Sequence, residues 1–141
     1  MQKITKSTEV TKEFALDFTK KLKGGEILAL TGDLGSGKTT FVQGLAKGLG
    51  VKEKVTSPTF IILNLHPAKN GLTLAHFDLY RLGNEKELLE IGATDYLGNK
   101  EFISVIEWAE KAKKILPENT IWINFEHITE NKRKMTIKNE K

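Results

Sequence analysis

The chain contains no cysteine, which excludes disulfides, zinc–thiolate sites and thiol nucleophiles and fits a reducing cytoplasm. Arginine is nearly absent too: Arg81 and Arg133 are the only two among 22 basic residues. No stretch approaches the roughly 20 apolar residues that span a bilayer. The opening residues, Met1-Gln2-Lys3-Ile4-Thr5-Lys6, lack the apolar run of a signal peptide. The expected location is therefore the cytoplasm, with no membrane partner. Charge of one sign is also scarce, since 22 basic against 18 acidic residues leave a formal +4. A dedicated nucleic-acid binder carries a larger and more clustered excess. The one basic cluster, Lys132-Arg133-Lys134 with Lys138 and Lys141, reads as a solvated, lysine-rich end.

What is present suffices for a core. A 141-residue chain that is 39% hydrophobic is expected to form one soluble domain over residues 1–141. Ser7 to Leu22 reads as an amphipathic helix with Val10, Phe14, Phe18 and Leu22 on its apolar stripe, closed by Gly24-Gly25. Ile27-Leu28-Ala29-Leu30 is a short continuous apolar run, the mark of a strand buried on both faces. Thr40 to Leu49 reads as a helix closed by Gly50. Phe60 to Leu65 and Leu72 to Phe77, joined by an Asn70-Gly71 turn, suggest a hairpin. Glu85 to Ile91 suits a short helix, and Phe102 to Ile106 another buried strand. Ile121 to Phe125 and Lys134 to Ile137 suit a closing pair. Together these elements predict an α/β domain with a mixed sheet.

Between the first strand and the second helix lies Gly32-Asp33-Leu34-Gly35-Ser36-Gly37-Lys38-Thr39, with Walker A spacing. Glycines admit positive φ and remove side chains, so successive backbone N–H groups can surround phosphate oxygens. The following helix adds unpaired N–H groups and the positive end of its dipole. Lys38 can reach the β- and γ-phosphates, and the Thr39 hydroxyl can ligate magnesium, a hard ion that prefers oxygen. The strand before the loop and the helix after it are the context this chemistry demands. A nucleoside triphosphate with magnesium is the predicted ligand.

Such a loop needs a carboxylate to hold the metal, usually at the end of a neighbouring strand. Glu107 directly follows Phe102 to Ile106, and Asp78 directly follows Leu72 to Phe77. Both are expected near the metal, Glu107 in the Walker B role. Asp78 is expected as a second metal ligand or as the group that orients the attacking water; sequence does not divide these roles. His76 reads as a packing or hydrogen-bonding residue. Trp108 suits aromatic cover for the site and plain core packing equally. A guanine-reading Asn-Lys-x-Asp element is absent. Asp95-Tyr96-Leu97-Gly98 mimics a GTPase switch element but follows no buried strand. A small phosphotransferase remains the alternative, disfavoured because so few arginines leave little for a phosphate-covering lid.

The loop from Gly32 to Thr40, then Ser57-Pro58-Thr59-Phe60, then His76-Phe77-Asp78-Leu79-Tyr80-Arg81-Leu82, then Ile106-Glu107-Trp108, resembles the TsaE (YjeE) family over nearly the whole chain. The resemblance implies a P-loop NTPase-like three-layer fold whose mixed sheet is mainly parallel with antiparallel additions. It implies an ATPase required for the threonylcarbamoyl modification of the adenosine next to the tRNA anticodon. Its partners would be TsaB and TsaD, with tRNA engaged indirectly through the complex, and its cofactors ATP or ADP and Mg2+. Carried over by position, Asp33 to Lys38 would cradle phosphates, with Thr39, Glu107 and Asp78 at the magnesium and Asp78, Glu107 and Lys38 serving catalysis. Thr40 fits the family pattern, and Thr59 would sense the γ-phosphate from a switch-like loop. By the same resemblance Thr11 and Trp108 would lie near the nucleotide. The family shows a Gly-Arg pair near the nucleobase, where this chain has Asn131-Lys132-Arg133, so Lys132 and Arg133 are both candidates there. With so few fixed cations, hydrolysis is expected to be slow alone and faster once partners complete the site.

Overall fold

The computed structural model describes residues 1–33, 35–55 and 62–139. In chain order the elements are β1 (Gln2–Thr5), α1 (Thr8–Phe18), β2 (Ile27–Gly32), α2 (Lys38–Gly48), β3 (Leu63–Pro67), β4 (Thr73–Asp78), α3 (Glu85–Glu90), β5 (Phe102–Glu107), β6 (Ile121–His127) and β7 (Arg133–Lys138). Short 3-10 turns cover Thr19–Lys21, Ala93–Asp95 and Ala109–Ala112. No helix among the described residues is long and apolar enough to cross a membrane.

The strands form one sheet in the order β1-β7-β6-β2-β5-β4-β3. β2 pairs in parallel with β5 and β6, and β4 in parallel with β5. β3 is antiparallel to β4, β7 to β6, and β1 to β7. This is the expected α/β fold: a mainly parallel centre with antiparallel additions at both sides. The central β2 explains its own apolar run, because alternate residues feed opposite faces. Leu28 and Leu30 join Ala15 and Phe18 of α1 and Phe41, Val42 and Leu45 of α2 in one core. Ile27 and Ala29 join Phe77, Leu88 of α3, Ile106 and Ala109 in the other. Helices therefore cover both faces, giving three layers.

On the first face the rings of Phe14, Phe18, Phe41 and Phe125 pack edge to face or tilted, with centroids 5.6–6.3 Å apart. That geometry suits the aromatic quadrupole. α1 departs from the expected stripe. Val10 is exposed, and the buried residues are Thr11, Ala15 and Phe18. Thr11 can occupy the interior because its hydroxyl is bonded there. It donates to Ser7 O at 3.1 Å and lies 2.6 Å from Thr5 Oγ1, whose own proton completes the second bond. Ser7 caps the helix, accepting from Val10 N. The α-helix itself stops at Phe18 and tightens into a 3-10 turn before Leu22. β1 has no signature of its own in the sequence, because its four residues hold one apolar side chain, Ile4, and that one is exposed. Only its ladder to β7 makes it a strand. Asp95 sits in a 3-10 turn rather than at a strand end, in keeping with a chance resemblance to a switch.

Candidate functional site

The glycine-rich loop leaves the C-terminal end of β2 and enters α2. Gly32 and Gly37 adopt φ of +128° and +106°, which L side chains rarely tolerate. At Gly32 any Cβ would also collide with Phe125 O. Gly37 caps α2 in the left-handed conformation and offers no side-chain cap, and a helix N-terminus of this kind favours a negatively charged acceptor. Ser36 N bonds to Asp33 O at 3.1 Å, closing the turn. The Ser36 side chain is buried with its hydroxyl lacking a partner. Leu34 lies outside the described residues, as do Ser57, Pro58, Thr59 and the Phe60 start of the predicted strand. β3 is described from Leu63.

Lys38 is 5% exposed. Its Nζ donates to Gly32 O at 2.5 Å and lies 3.4 Å from the centre of the Trp108 ring. Burial pushes the ammonium below the ordinary lysine value, while Glu110, Glu107, Asp78 and Asp33 pull it partly back. Trp108 has a left-handed backbone with φ of +59°, unusual for a bulky side chain. One part of it packs in the core beneath the sheet. Another covers Lys38 and meets Tyr80 at a centroid distance of 5.1 Å. The packing reading of Trp108 is met, and the same ring lies over the P-loop lysine.

The carboxylates come together by strand register. Glu107 on β5 stands opposite Leu30 on β2 and opposite Asp78 on β4, so both acids end parallel strands beside the loop. Glu107 is 2% exposed. Its Oε1 accepts from Thr39 Oγ1 at 2.9 Å and its Oε2 lies 2.5 Å from His76 Nε2. Asp78 Oδ1 accepts from Tyr80 N at 3.0 Å, which fixes its side chain at the head of the following turn. Lys111 holds that turn from below, donating to Tyr80 O at 2.5 Å and Leu82 O at 3.4 Å. The sequence carried no signal for Lys111 or for the influence of Glu110 on Lys38. Both follow from the 3-10 turn that folds back after β5.

The remaining candidates separate. Arg133 lies beside the loop, its Cγ and Cδ 3.6 and 3.8 Å from where a Gly37 Cβ would stand. Its Nη1 donates to the carbonyls of Thr129, Glu130 and Lys132 at 3.0–3.2 Å. Lys132 is exposed and contributes only backbone to that arrangement. The lysine-rich end is therefore not all solvated. Thr11 faces β1 with its proton committed to Ser7 O. Thr40 is half-buried in the first turn of α2.

A strand-loop-helix phosphate cradle with two carboxylates at the ends of adjacent parallel strands defines a P-loop NTPase-like protein. Residues 5–135 match the family model for the threonylcarbamoyl adenosine biosynthesis protein TsaE. The chain is 36% identical over 137 residues to the tRNA threonylcarbamoyladenosine biosynthesis protein TsaE of Treponema pallidum, covering 97% of this chain and 99% of that one. It is 36% identical over 134 residues to the protein of the same name in Bacillus subtilis, covering 94% and 82%. Its structure superposes on the crystal structure of Bacillus subtilis YdiB with a TM-score of 0.78 at 31% identity, over 97% of this chain and 83% of that one. The chain belongs to the TsaE family.

Proposed function

We propose that this chain binds ATP with magnesium at the P-loop and hydrolyses it in support of the threonylcarbamoyl modification of tRNA. The work would be done in the cytoplasm together with TsaB and TsaD, with tRNA engaged through the complex. The observation that carries the reading is the hydrogen bond of Thr39 to a buried Glu107 whose charge acts on the neighbouring Lys38. Thr39 Oγ1 and the Glu107 and Asp78 carboxylates are hard oxygen donors, the set magnesium prefers. Among the described residues no three His, Cys, Asp or Glu side chains gather to hold an ion alone. Two carboxylates and a hydroxyl suit an ion shared with nucleotide phosphates.

In this reading the backbone of Asp33 to Gly37 and the start of α2 cradle the phosphates, with Lys38 swinging from Gly32 O to a phosphate oxygen. Bound magnesium would neutralise charge developing on the transferred phosphoryl group. Asp78 would join the metal's oxygen donors or orient the attacking water, and Thr39 and Glu107 would hold the metal. Arg133, whose side chain lies beside Gly37, would be the cation that meets the nucleotide, and the exposed Lys132 would not. Thr59 would sense the γ-phosphate. Arg133→Ala is expected to weaken ADP binding by about 1 kcal/mol, roughly fivefold, and Lys132→Ala to leave it unchanged. Titration of the two variants by calorimetry checks this.

The functional test is phosphate release with and without TsaB, TsaD and tRNA. Release is expected to be slow alone and faster with the partners, and Glu107→Gln to lower it by about 100-fold. Equal rates with and without the partners would count against the role, and a phosphorylated small acceptor would instead indicate a phosphotransferase.

A further inference from the structure

His76 stands on β4 two residues before Asp78, its side chain wholly buried. A carboxylate oxygen accepts, so the imidazole Nε2–H donates to Glu107 Oε2 across 2.5 Å. The other ring nitrogen, Nδ1, is buried without a partner. A histidine present only to pack or to stabilise the core would be poorly chosen, because an orphaned buried nitrogen is a cost that an apolar side chain of similar shape avoids. What the ring does accomplish is directional. Glu107 has two oxygens: one is taken by His76, and the other is thereby turned toward Thr39. A Glu side chain has three rotatable bonds, and a single bond from Thr39 would leave its carboxylate free to pivot about Oε1.

We infer that His76 is a positioning residue that fixes the rotamer of Glu107 and keeps its outward oxygen aimed at the Thr39 hydroxyl, ready for a divalent ion. The inference rests on the proposed magnesium–nucleotide reading of the site. It acts through Glu107, and the ring itself touches neither ion nor phosphate. Partners of this kind commonly carry 10- to 100-fold in metal affinity.

Two amide substitutions separate positioning from packing. In His76→Gln the side-chain nitrogen falls near the original Nε2 and can still donate to Glu107. In His76→Asn it falls near Nδ1 and cannot reach. Both remove the ring, and because Asn leaves the larger cavity the metal-free analogue binding of each variant serves to separate repacking from positioning. Mn2+ binding followed by electron paramagnetic resonance, with a non-hydrolysable ATP analogue bound, reads the site without turnover. His76→Asn is expected to lose roughly 10- to 100-fold in Mn2+ affinity and His76→Gln to stay within about threefold of wild type. Binding of the analogue without a divalent ion should be alike in all three. Equal Mn2+ affinity in the Asn and Gln variants would overturn the positioning role. So would a matching loss of metal-free analogue binding in the Asn variant. Failure of the wild type itself to bind Mn2+ with the analogue would instead overturn the underlying reading, and the inference with it.

Discussion

Lys38→Met is expected to reduce ATP affinity by roughly 100-fold while leaving the nucleotide-free protein at least as stable as wild type. The affinity loss follows from removing charge-assisted bonds to phosphate, each worth about 1.5–3 kcal/mol. The stability claim follows from the burial of an ammonium that is only 5% exposed. Desolvation wins over the attraction of Glu110, Glu107, Asp78 and Asp33, and the folded-state pKa lies below 10.5. Between that lowered value and 10.5 the unfolded chain binds more protons than the folded one, so stability rises with pH across this window. Below the window Lys38 is charged in both states and the burial cost is present in full. Methionine keeps the aliphatic stem and discards the charge, so the alkaline rise in stability attributable to Lys38 should vanish. Denaturant midpoints from neutral to alkaline pH, beside a nucleotide titration, test both halves. A variant clearly less stable than wild type at neutral pH would show that the bond to Gly32 O and the contact with the Trp108 ring outweigh desolvation.

Gly44→Ala is expected to destabilise the fold although it places a better helix former inside α2. Alanine is intrinsically favoured there by about 1 kcal/mol. A Cβ at this position would stand 2.5 Å from Lys12 O, 2.8 Å from Lys12 Cα and 2.9 Å from Ala15 Cβ. Two of those atoms are backbone of α1 and cannot rotate away, so the helices must part. Overpacking of this kind costs about 1–3 kcal/mol, and the pairs Phe14–Phe41 and Phe18–Phe41 that span the same interface would loosen with it. Set against the propensity gain, the net loss should reach up to about 2 kcal/mol, several degrees in Tm for a chain of this size. Because α2 begins at Lys38 and Thr39, nucleotide affinity should fall as well. Lys47→Ala, on the exposed side of the same helix, serves as the control and should lie within about 0.5 kcal/mol of wild type. A Gly44→Ala protein that melts above wild type would mean that α1 yields without cost.

The P-loop was readable because its chemistry is contiguous: one strand end, one turn and one helix start supply every group. β2 and β5 were readable because burial on both faces demands unbroken apolar runs. The stripe expected along α1 holds at Phe14, Phe18 and Leu22 and fails only at Val10, whose place inside is taken by Thr11. A threonine whose hydroxyl is bonded to Ser7 O and Thr5 can be buried at little cost, and no periodicity rule sees such a bond coming. β1 escaped because an edge strand of four residues is defined by its partner, β7, and not by its own pattern.

The sequence by itself determined the phosphate loop, the layered α/β plan and the two acids at strand ends, since each depends on residues close together in the chain. Only the tertiary structure decided how those pieces face one another. Strand register set Asp78 beside Glu107, and helix placement brought Thr39 to Oε1 and His76 to Oε2. The β6–β7 hairpin laid Arg133, and not Lys132, against Gly37. Each is a contact between segments far apart in sequence, whose geometry is fixed by sheet order and core packing, and local propensity carries no record of either.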